Sequence, residues 1–244
     1  MSANRVVWLT PTDPPDAFPD ICSALREPDG LLAAGGDLSS ERLLHAYSTG
    51  IFPWFDEGQP ILWWSPEPRC ILRPREFRTS SRMRRAIRSS AAEITINASF
   101  AEVIRCCSGP RRSEQGTWIT NDMIAAYEAL HAEGWAHSIE VREDGALIGG
   151  LYGLAIGRMF FGESMFSQKS NASKLAMLGL SEILDENAFE MIDCQVVSQH
   201  LLTLGAVAIS REEFASELQS SCPELTRFVN WPESPVKVCD LRPK

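Results

Sequence analysis

Two short stretches of the sequence hold acidic and amide side chains at spacings that can support chemistry. In IDCQV, Asp193 and Gln195 are two residues apart, so on a strand both side chains point to one face and Cys194 points to the other. Such a pair either orients a substrate group or satisfies loop amides at a strand end. In FFGESMFS, Glu163 lies among apolar residues, where it is either a functional carboxylate or an exposed acid at a turn.

The elements that position these residues follow from hydrophobic periodicity and from capping residues. Thr120 is expected to cap one helix, and Asn171 or Ser173 another. Short turns between the three strands from residue 137 to residue 165 predict an antiparallel meander. We expect strands at 93–97, 137–141, 146–155, 159–165, 190–196 and 206–209, and helices at 98–108, 121–133, 172–187, 198–204 and 211–219.

This order of elements is that of a GNAT-like acyltransferase domain, an α/β (α+β) fold with a mixed sheet. Residues 1–68 are different: they are rich in Pro, Gly and Trp, with one helix capped by Asp37 or Ser39 and ended by Gly50. We therefore predict a small, irregular N-terminal domain at 1–68. A GNAT-like catalytic domain with an irregular C-terminal tail is predicted at 69–244.

The composition excludes several classes of protein. Hydrophobic residues make up 44% and charged residues 23% of the 244 residues, which is usual for a globular protein. No apolar run approaches the length of a membrane span, and the first residues do not resemble a secretory signal. Seven Cys without a C-x-x-C pair and four scattered His argue against a disulfide framework or a metal site. We expect a cytoplasmic chain with no bound metal.

The charge of the chain is unevenly distributed. The net charge is −9, so nucleic acid would not be bound through bulk charge. However, residues 69–88 contain eight Arg and one acidic residue, and Arg111 and Arg112 follow. A concentrated basic stretch can dock a polyanion, or it can be a solvated helix face that is paired with acids elsewhere. Composition does not separate these two interpretations.

The loop that binds coenzyme A in GNAT proteins is missing. That loop, Q/R-x-x-G-x-G/A, should open the helix after the third meander strand, and here the junction reads SMFSQKSNASK, without glycine. The backbone N–H cradle for a pyrophosphate is therefore not expected. We predict no cofactor. A coenzyme A-dependent GNAT-type N-acyltransferase remains the alternative function, and a non-catalytic RNA-binding or adaptor protein is a second.

Eight motifs carry a more specific resemblance. GLLAAGGDLS, GIFPWF, ILWWSPEPR, GTWIT, GGLYG, FFGESMFS, NASK and IDCQV occur in this order, and together they resemble the leucyl/phenylalanyl-tRNA–protein transferase family. The resemblance implies an aminoacyltransferase that moves Leu or Phe, with Met as a third candidate, from aminoacyl-tRNA to the α-amino group of proteins with N-terminal Arg or Lys. This addition marks the acceptor for degradation. The implied partners are aminoacyl-tRNA and acceptor proteins, with no membrane, and we expect a monomer.

The implied reaction is aminolysis of an ester by an α-amino group, whose ordinary pKa is about 7.7–8.0. Such a reaction needs positioning and polar groups more than a metal or a covalent nucleophile. The resemblance places the catalytic pair at Asp193 and Gln195. Asp193 would attract the ammonium form of the acceptor, and Gln195 would orient either Asp193 or the amine. Whether Asp193 acts as a base, or the ribose of the tRNA assists, is left open.

The resemblance also assigns the groups that bind the tRNA end. Trp54 and Trp118 would stack on the terminal adenosine, with Tyr47 and Tyr127 as second-rank candidates nearby. The phosphates of the acceptor stem would be contacted by Arg82, Arg84 and Arg85.

A pocket for the donor amino acid completes the implied site. Gly162 would let the backbone approach the ester and the ribose. Glu163, at the mouth of the pocket, would accept hydrogen bonds from ribose hydroxyls or from the donor α-amino group, or it would help to recruit a basic N-terminal residue of the acceptor. The family carries Phe at the positions of Leu180 and Leu184, so the preference between Leu and Phe is left open. The pocket lining implied by the resemblance is Leu151, Phe160, Met165, Met177, Leu180, Leu184 and Ile192.

Overall fold

A computed structural model describes residues 5–109 and 119–242 of the chain, which form two β-sheets. The first sheet comes from the N-terminal region and has the order β1-β2-β4-β3. Its strands are β1 (Val7–Leu9), β2 (Leu31–Gly35), β3 (Phe52–Pro53) and β4 (Leu62–Trp64). Helix α1 (Ser40–Ser48) lies between β2 and β3 in the chain, with the Ser39 side chain as its N-cap.

The second sheet has eight strands in the order β11-β5-β10-β9-β8-β7-β6-β12. Strands β9 and β10 are parallel, and the other neighbouring strands of this sheet are antiparallel. The strands are β5 (Arg69–Leu72), β6 (Glu93–Ile96), β7 (Ala136–Glu143), β8 (Ala146–Ile156), β9 (Met159–Ser167), β10 (Met191–Gln195), β11 (Val207–Ile209) and β12 (Val236–Lys237).

Helices cover both faces of the second sheet. They are α2 (Ser81–Arg88), α3 (Phe100–Cys107), α4 (Asn121–Ala132), α5 (Ala172–Glu186), α6 (Gln199–Thr203) and α7 (Arg211–Ser221). One hydrophobic core holds α1, α3, α4, α7 and the first sheet against one face, and a second core holds α2 and α5 against the other. The alternation of side chains on β9 separates the cores, since Phe160 lies in the second and Phe161 in the first.

The mixed-sheet α/β fold predicted from the sequence is confirmed. The predicted strands and helices from residue 93 to residue 219 are all present, and the meander of β7, β8 and β9 is antiparallel. Thr120 caps α4 through its side chain, as expected. The boundary at residue 68 stays a prediction, because residues from both sides of it, such as Trp63 and Phe161, share the first core.

Four local predictions need correction. The N-terminal region is more regular than expected, because its short strands pair into a sheet. The C-terminal tail also contributes a strand, β12, which pairs with β6 at the sheet edge. Strand β5 was not predicted, and helix α2 was anticipated only as one of two interpretations of the basic stretch. Asn171 occupies the N-cap position of α5, but its backbone is left-handed (φ 70°) and its side chain makes no capping hydrogen bond. Ser173 lies inside the helix rather than at its cap.

Among the described residues, no helix is long and apolar enough to cross a membrane.

Candidate active site

The candidate site lies where β9 and β10 separate. The two strands pair at residues 159–161 and 191–193. Beyond this point β9 continues along β8 to Ser167, whereas β10 ends at Gln195. A cavity of about 360 Å³ opens at the point of separation, and α5 supplies part of its wall. Its volume is within the usual range for a small-ligand pocket.

Two β-bulges direct side chains into this cavity. The pairing of β9 with β8 skips Glu163, and the pairing of β10 with β5 skips Cys194. Each skipped residue is an extra residue that re-aims its neighbours, and both of these residues line the cavity. At the second bulge Gln195 takes a left-handed backbone (φ 63°). Beside the first, Gly153 is required, because a Cβ there would lie 2.1 Å from the carbonyl oxygen of Phe161.

Glu163 is held by side chains from three other elements. Its Oε1 accepts hydrogen bonds from the hydroxyl of Tyr47 on α1 (2.7 Å) and from Nε2 of Gln195 on β10 (2.9 Å). Its Oε2 accepts one from the hydroxyl of Tyr127 on α4 (2.8 Å). Burial raises the pKa of Glu163 to about 7, although the three hydrogen bonds act to lower it. The carboxyl group can therefore exist in either protonation state near neutral pH.

Asp193 lies behind the cavity wall and is bound to Arg69. The guanidinium of Arg69 donates from Nε to Oδ1 (2.8 Å) and from Nη2 to Oδ2 (2.6 Å) of Asp193, and both side chains are fully buried. The rings of Phe52 and Phe214 lie 4.9 and 4.4 Å from the guanidinium carbon. Oδ1 of Asp193 also accepts the backbone N–H of Gln195 (2.9 Å). Asp193 thus fixes the backbone of Gln195.

The expectation that Cys194 points away from the cavity is wrong. The strict alternation of a regular strand was assumed, and the bulge breaks it between Asp193 and Gln195. As a result Cys194 and Gln195 line the cavity, while the Asp193 side chain points to Arg69.

Most of the implied pocket residues meet at the cavity. Gly162 and Glu163 lie on its wall, together with Leu151, Phe160, Met165, Met177 and Ile192. Leu180 and Leu184 are instead fully buried in the core between α5 and the sheet. Their spacing along α5 indicated the buried face correctly, but only Met177 of that face reaches the cavity.

The aromatic residues proposed for the adenosine occupy different places. Tyr47 and Tyr127 are fully buried, and their hydroxyl oxygens lie against each other. Each hydroxyl donates its one proton to Glu163, so the two tyrosines support Glu163 and do not offer a stacking surface. Burial raises the pKa of each tyrosine well above the ordinary tyrosine value. Both hydroxyls therefore stay protonated and act as hydrogen-bond donors. Trp54 is 43% exposed and packs against Trp64. Trp118 lies outside the described residues.

The basic stretch divides into buried and exposed parts. Arg69 is the buried partner of Asp193, and Arg73 is paired with Glu217. Helix α2 carries exposed arginines whose roles stay predictions; they are Arg82, Arg84 and Arg85. Arg111 and Arg112 lie outside the described residues.

Sequence reasoning did not identify several residues of the site. Tyr152, Ser164, Cys194 and Leu201 line the cavity, and no spacing rule points to them. Arg69 opens the apolar strand RCIL, and its burial there, which the structure shows, requires an acidic partner.

Known proteins are similar in sequence to this chain over most of its length. Residues 71–219 match the family model described as leucyl/phenylalanyl-tRNA protein transferase, and residues 36–67 match the model of its N-terminal domain. A protein named leucyl/phenylalanyl-tRNA–protein transferase from Nitrosospira multiformis is 53% identical over 93% of this chain and 96% of its own length. One of the same name from Cellvibrio japonicus is 52% identical over 87% of this chain and 90% of its own length.

Solved structures are more distant. A functionally unknown conserved protein from Staphylococcus epidermidis has a TM-score of 0.39 at 6% identity and covers 74% of this chain and 68% of its own. L-PGS from Bacillus licheniformis has a TM-score of 0.36 at 12% identity and covers 69% and 54%. At TM-scores this low, neither structure supports a conclusion about the fold beyond the strand order described above. The sequence matches are decisive: this chain belongs to the leucyl/phenylalanyl-tRNA–protein transferase family, enzymes that transfer an aminoacyl group from tRNA to proteins.

Proposed function

We propose that this enzyme transfers Leu or Phe, with Met as a further donor to be tested, to proteins with N-terminal Arg or Lys, and that the added residue marks them for degradation. The observation that carries the proposal is the cavity between β9 and β10. It combines apolar walls, which suit an aliphatic or aromatic side chain, with Glu163 and Gln195 on one wall. An apolar pocket with a few convergent polar groups is the usual form of such a site.

In the mechanism we propose, the aminoacyl side chain fills the apolar part of the cavity. Nε2 of Gln195 is bound to Glu163, so Oε1 of Gln195 is the atom that we assign to the attacking amine. Ionised Glu163 accepts a hydrogen bond from the donor α-ammonium group. The proton that the acceptor amine loses ends on the ribose oxygen that leaves. The reaction therefore needs orientation and no net proton from the protein.

We propose that Asp193 is a positioning residue. Its carboxylate is saturated by Arg69 and by the backbone N–H of Gln195, and its side chain is fully buried. A carboxylate in this state has no direct route to an amine in the cavity. Its contribution to transfer is to hold the bulge that presents Gln195.

For the tRNA, we propose that Trp54, with Trp118, stacks on the terminal adenosine and that α2 contacts phosphates. The exposure of Trp54 and of the α2 arginines supports this assignment. Changing the arginines to Ala should raise the KM for charged tRNA and leave transfer from an aminoacyl-adenosine unchanged, since the small donor carries no acceptor stem. Equal losses with both donors would contradict phosphate contacts. The changed residues are Arg82, Arg84 and Arg85.

The experiment that tests the function is transfer of radiolabelled Leu, Phe and Met from tRNA to peptides that begin with Arg, Lys, Met or Asp. We expect label from Leu and Phe on the Arg and Lys peptides. Equal labelling of the Asp peptide would contradict the acceptor proposal. Acetyl-CoA in place of the charged tRNA is the control for the alternative, because acetylation of the Arg peptide would favour a coenzyme A-dependent enzyme.

A further inference from the structure

Cys70 and Cys194 form a thiol pair at the second bulge. Cys70 on β5 is the partner of Gln195, and the pairing skips Cys194. In a bulge, two residues of one strand oppose a single residue of the other, so Cys194 and Gln195 both lie across from Cys70. Each thiol changes the pKa of the other, so the two sulfurs lie close together. Directly opposite residues of an antiparallel pair have Cα atoms about 4.5–5.5 Å apart, which is within the range of about 4.4–6.8 Å that disulfides require.

The two thiols differ in access. Cys194 is half-buried and lines the cavity, whereas Cys70 is fully buried behind it. A small molecule in the cavity therefore meets the Cys194 sulfur first, with a second thiol within reach of that sulfur. An accessible thiol with a second thiol beside it can pass from a sulfenic acid to a reversible disulfide.

We propose that Cys70 and Cys194 are an oxidation site that reversibly inactivates the transferase when a peroxide enters the cavity. This site is additional to the function proposed above and uses different side chains.

The sulfur of Cys194 attacks one oxygen of hydrogen peroxide, and the O–O bond breaks. The departing hydroxide takes the Cys194 proton and leaves as water, so a sulfenic acid forms. The interaction between the two thiols lowers the pKa of Cys70 and raises that of Cys194. Cys70 then attacks the Cys194 sulfur, the S–O bond breaks, and a second water leaves. Two thiols lose two electrons and one peroxide gains them.

The disulfide would act on the site through the backbone of the bulge. An S–S bond is about 2.05 Å long, much shorter than the contact between two thiols, so the Cys194 sulfur must move towards β5 and pull on the backbone of the bulge. The left-handed backbone of Gln195 and its hydrogen bond to Asp193 are part of the same bulge. Movement of Cys194 therefore displaces Gln195 from Glu163.

The test uses the full chain with the exposed Cys22 and Cys239 changed to Ser, because exposed thiols form bonds between molecules. The protein is treated with hydrogen peroxide, its remaining thiols are alkylated, and its peptides are mapped by mass spectrometry. We expect a peptide pair joined through Cys70 and Cys194. Transfer activity should fall in proportion to the joined fraction and return with dithiothreitol.

Two further variants separate the pair from general oxidation. In Cys70→Ser, Cys194 has no resolving thiol, so we expect no joined peptide and a loss of activity that dithiothreitol does not reverse, as Cys194 oxidises further. In the matched control, Cys106→Ser with Cys107→Ser, the reversible loss should persist.

The proposal is overturned if the Cys70–Cys194 peptide is absent from the treated protein, or if it forms while transfer is unaffected. The joined peptide is detected without a transfer assay. Its absence would therefore count against the oxidation site and not against the proposed function.

Discussion

Replacing Glu163 by Gln tests whether folding favours the protonated form of this carboxyl group. Burial raises its pKa from 4.5 to about 7, and one pKa unit corresponds to about 1.4 kcal/mol. Because the folded state binds the proton more tightly, this contribution to stability is fully present below pH 4.5 and is lost as the pH rises through about 7. The contribution of the Glu163 carboxyl group should fall by about 3 kcal/mol over this window, and the Gln variant lacks this contribution.

The measurement is urea unfolding of both proteins at pH 5 and pH 8. With an m-value of about 3 kcal/mol per molar urea, the difference between their unfolding midpoints should change by about 1 M. Glu57→Gln, in an exposed loop, is the control for loss of a carboxylate, and its difference from wild type should stay constant. If the Glu163→Gln difference is also the same at both pH values, the carboxyl group is not perturbed by burial, and the reasoning fails.

Three further predictions concern the roles of neighbouring residues. Asp193→Ala should lower the free energy of unfolding by about 3–5 kcal/mol, because its arginine partner is left charged in the core. Gln195→Ala should instead reduce transfer with little change in melting temperature. Similar melting temperatures for the two variants would contradict the positioning role of Asp193. Gly162→Ala should fold normally, since the new Cβ would approach protein atoms no closer than 3.5 Å. The variant should nevertheless have a higher KM for the donor, and an unchanged KM would remove Gly162 from the donor site. Trp54→Ala should weaken binding of aminoacyl-tRNA by about 1–3 kcal/mol. The control Trp8→Ala, at another exposed tryptophan, should leave this binding unchanged, and equal effects of both changes would exclude stacking by Trp54.

Local signals in the sequence were sufficient for much of the fold. Helix α4 begins after Thr120, whose side chain caps it, and Gly134 follows its end with a left-handed backbone. The strands of the meander are joined by short turns, such as the one at Asp144 and Gly145. These features depend on a few neighbouring residues, so periodicity and capping rules describe them well.

The parts that were missed depend on contacts between distant residues. Arg69 and Asp193 are 124 positions apart, and no local pattern shows that one neutralises the other. Tyr47 and Tyr127 were associated with the site, but their role in holding Glu163 required the packing of α1 and α4. The orientation of Cys194 was wrong because a bulge depends on the partner strand, and the sequence of β10 alone is compatible with regular alternation.

The two bulges have a consequence for how related chains can differ in length. In a strand, each added or removed residue turns all following side chains to the opposite face, and β9 and β10 already contain one extra residue each. A single insertion or deletion within 159–167 or 191–195 would exchange cavity-lining side chains for core side chains. The exposed turn at Asp144 and Gly145 lies between the ends of β7 and β8, where added residues lengthen the loop and leave the strand interiors unchanged. Length variation among relatives should therefore collect at such turns and spare the two strands.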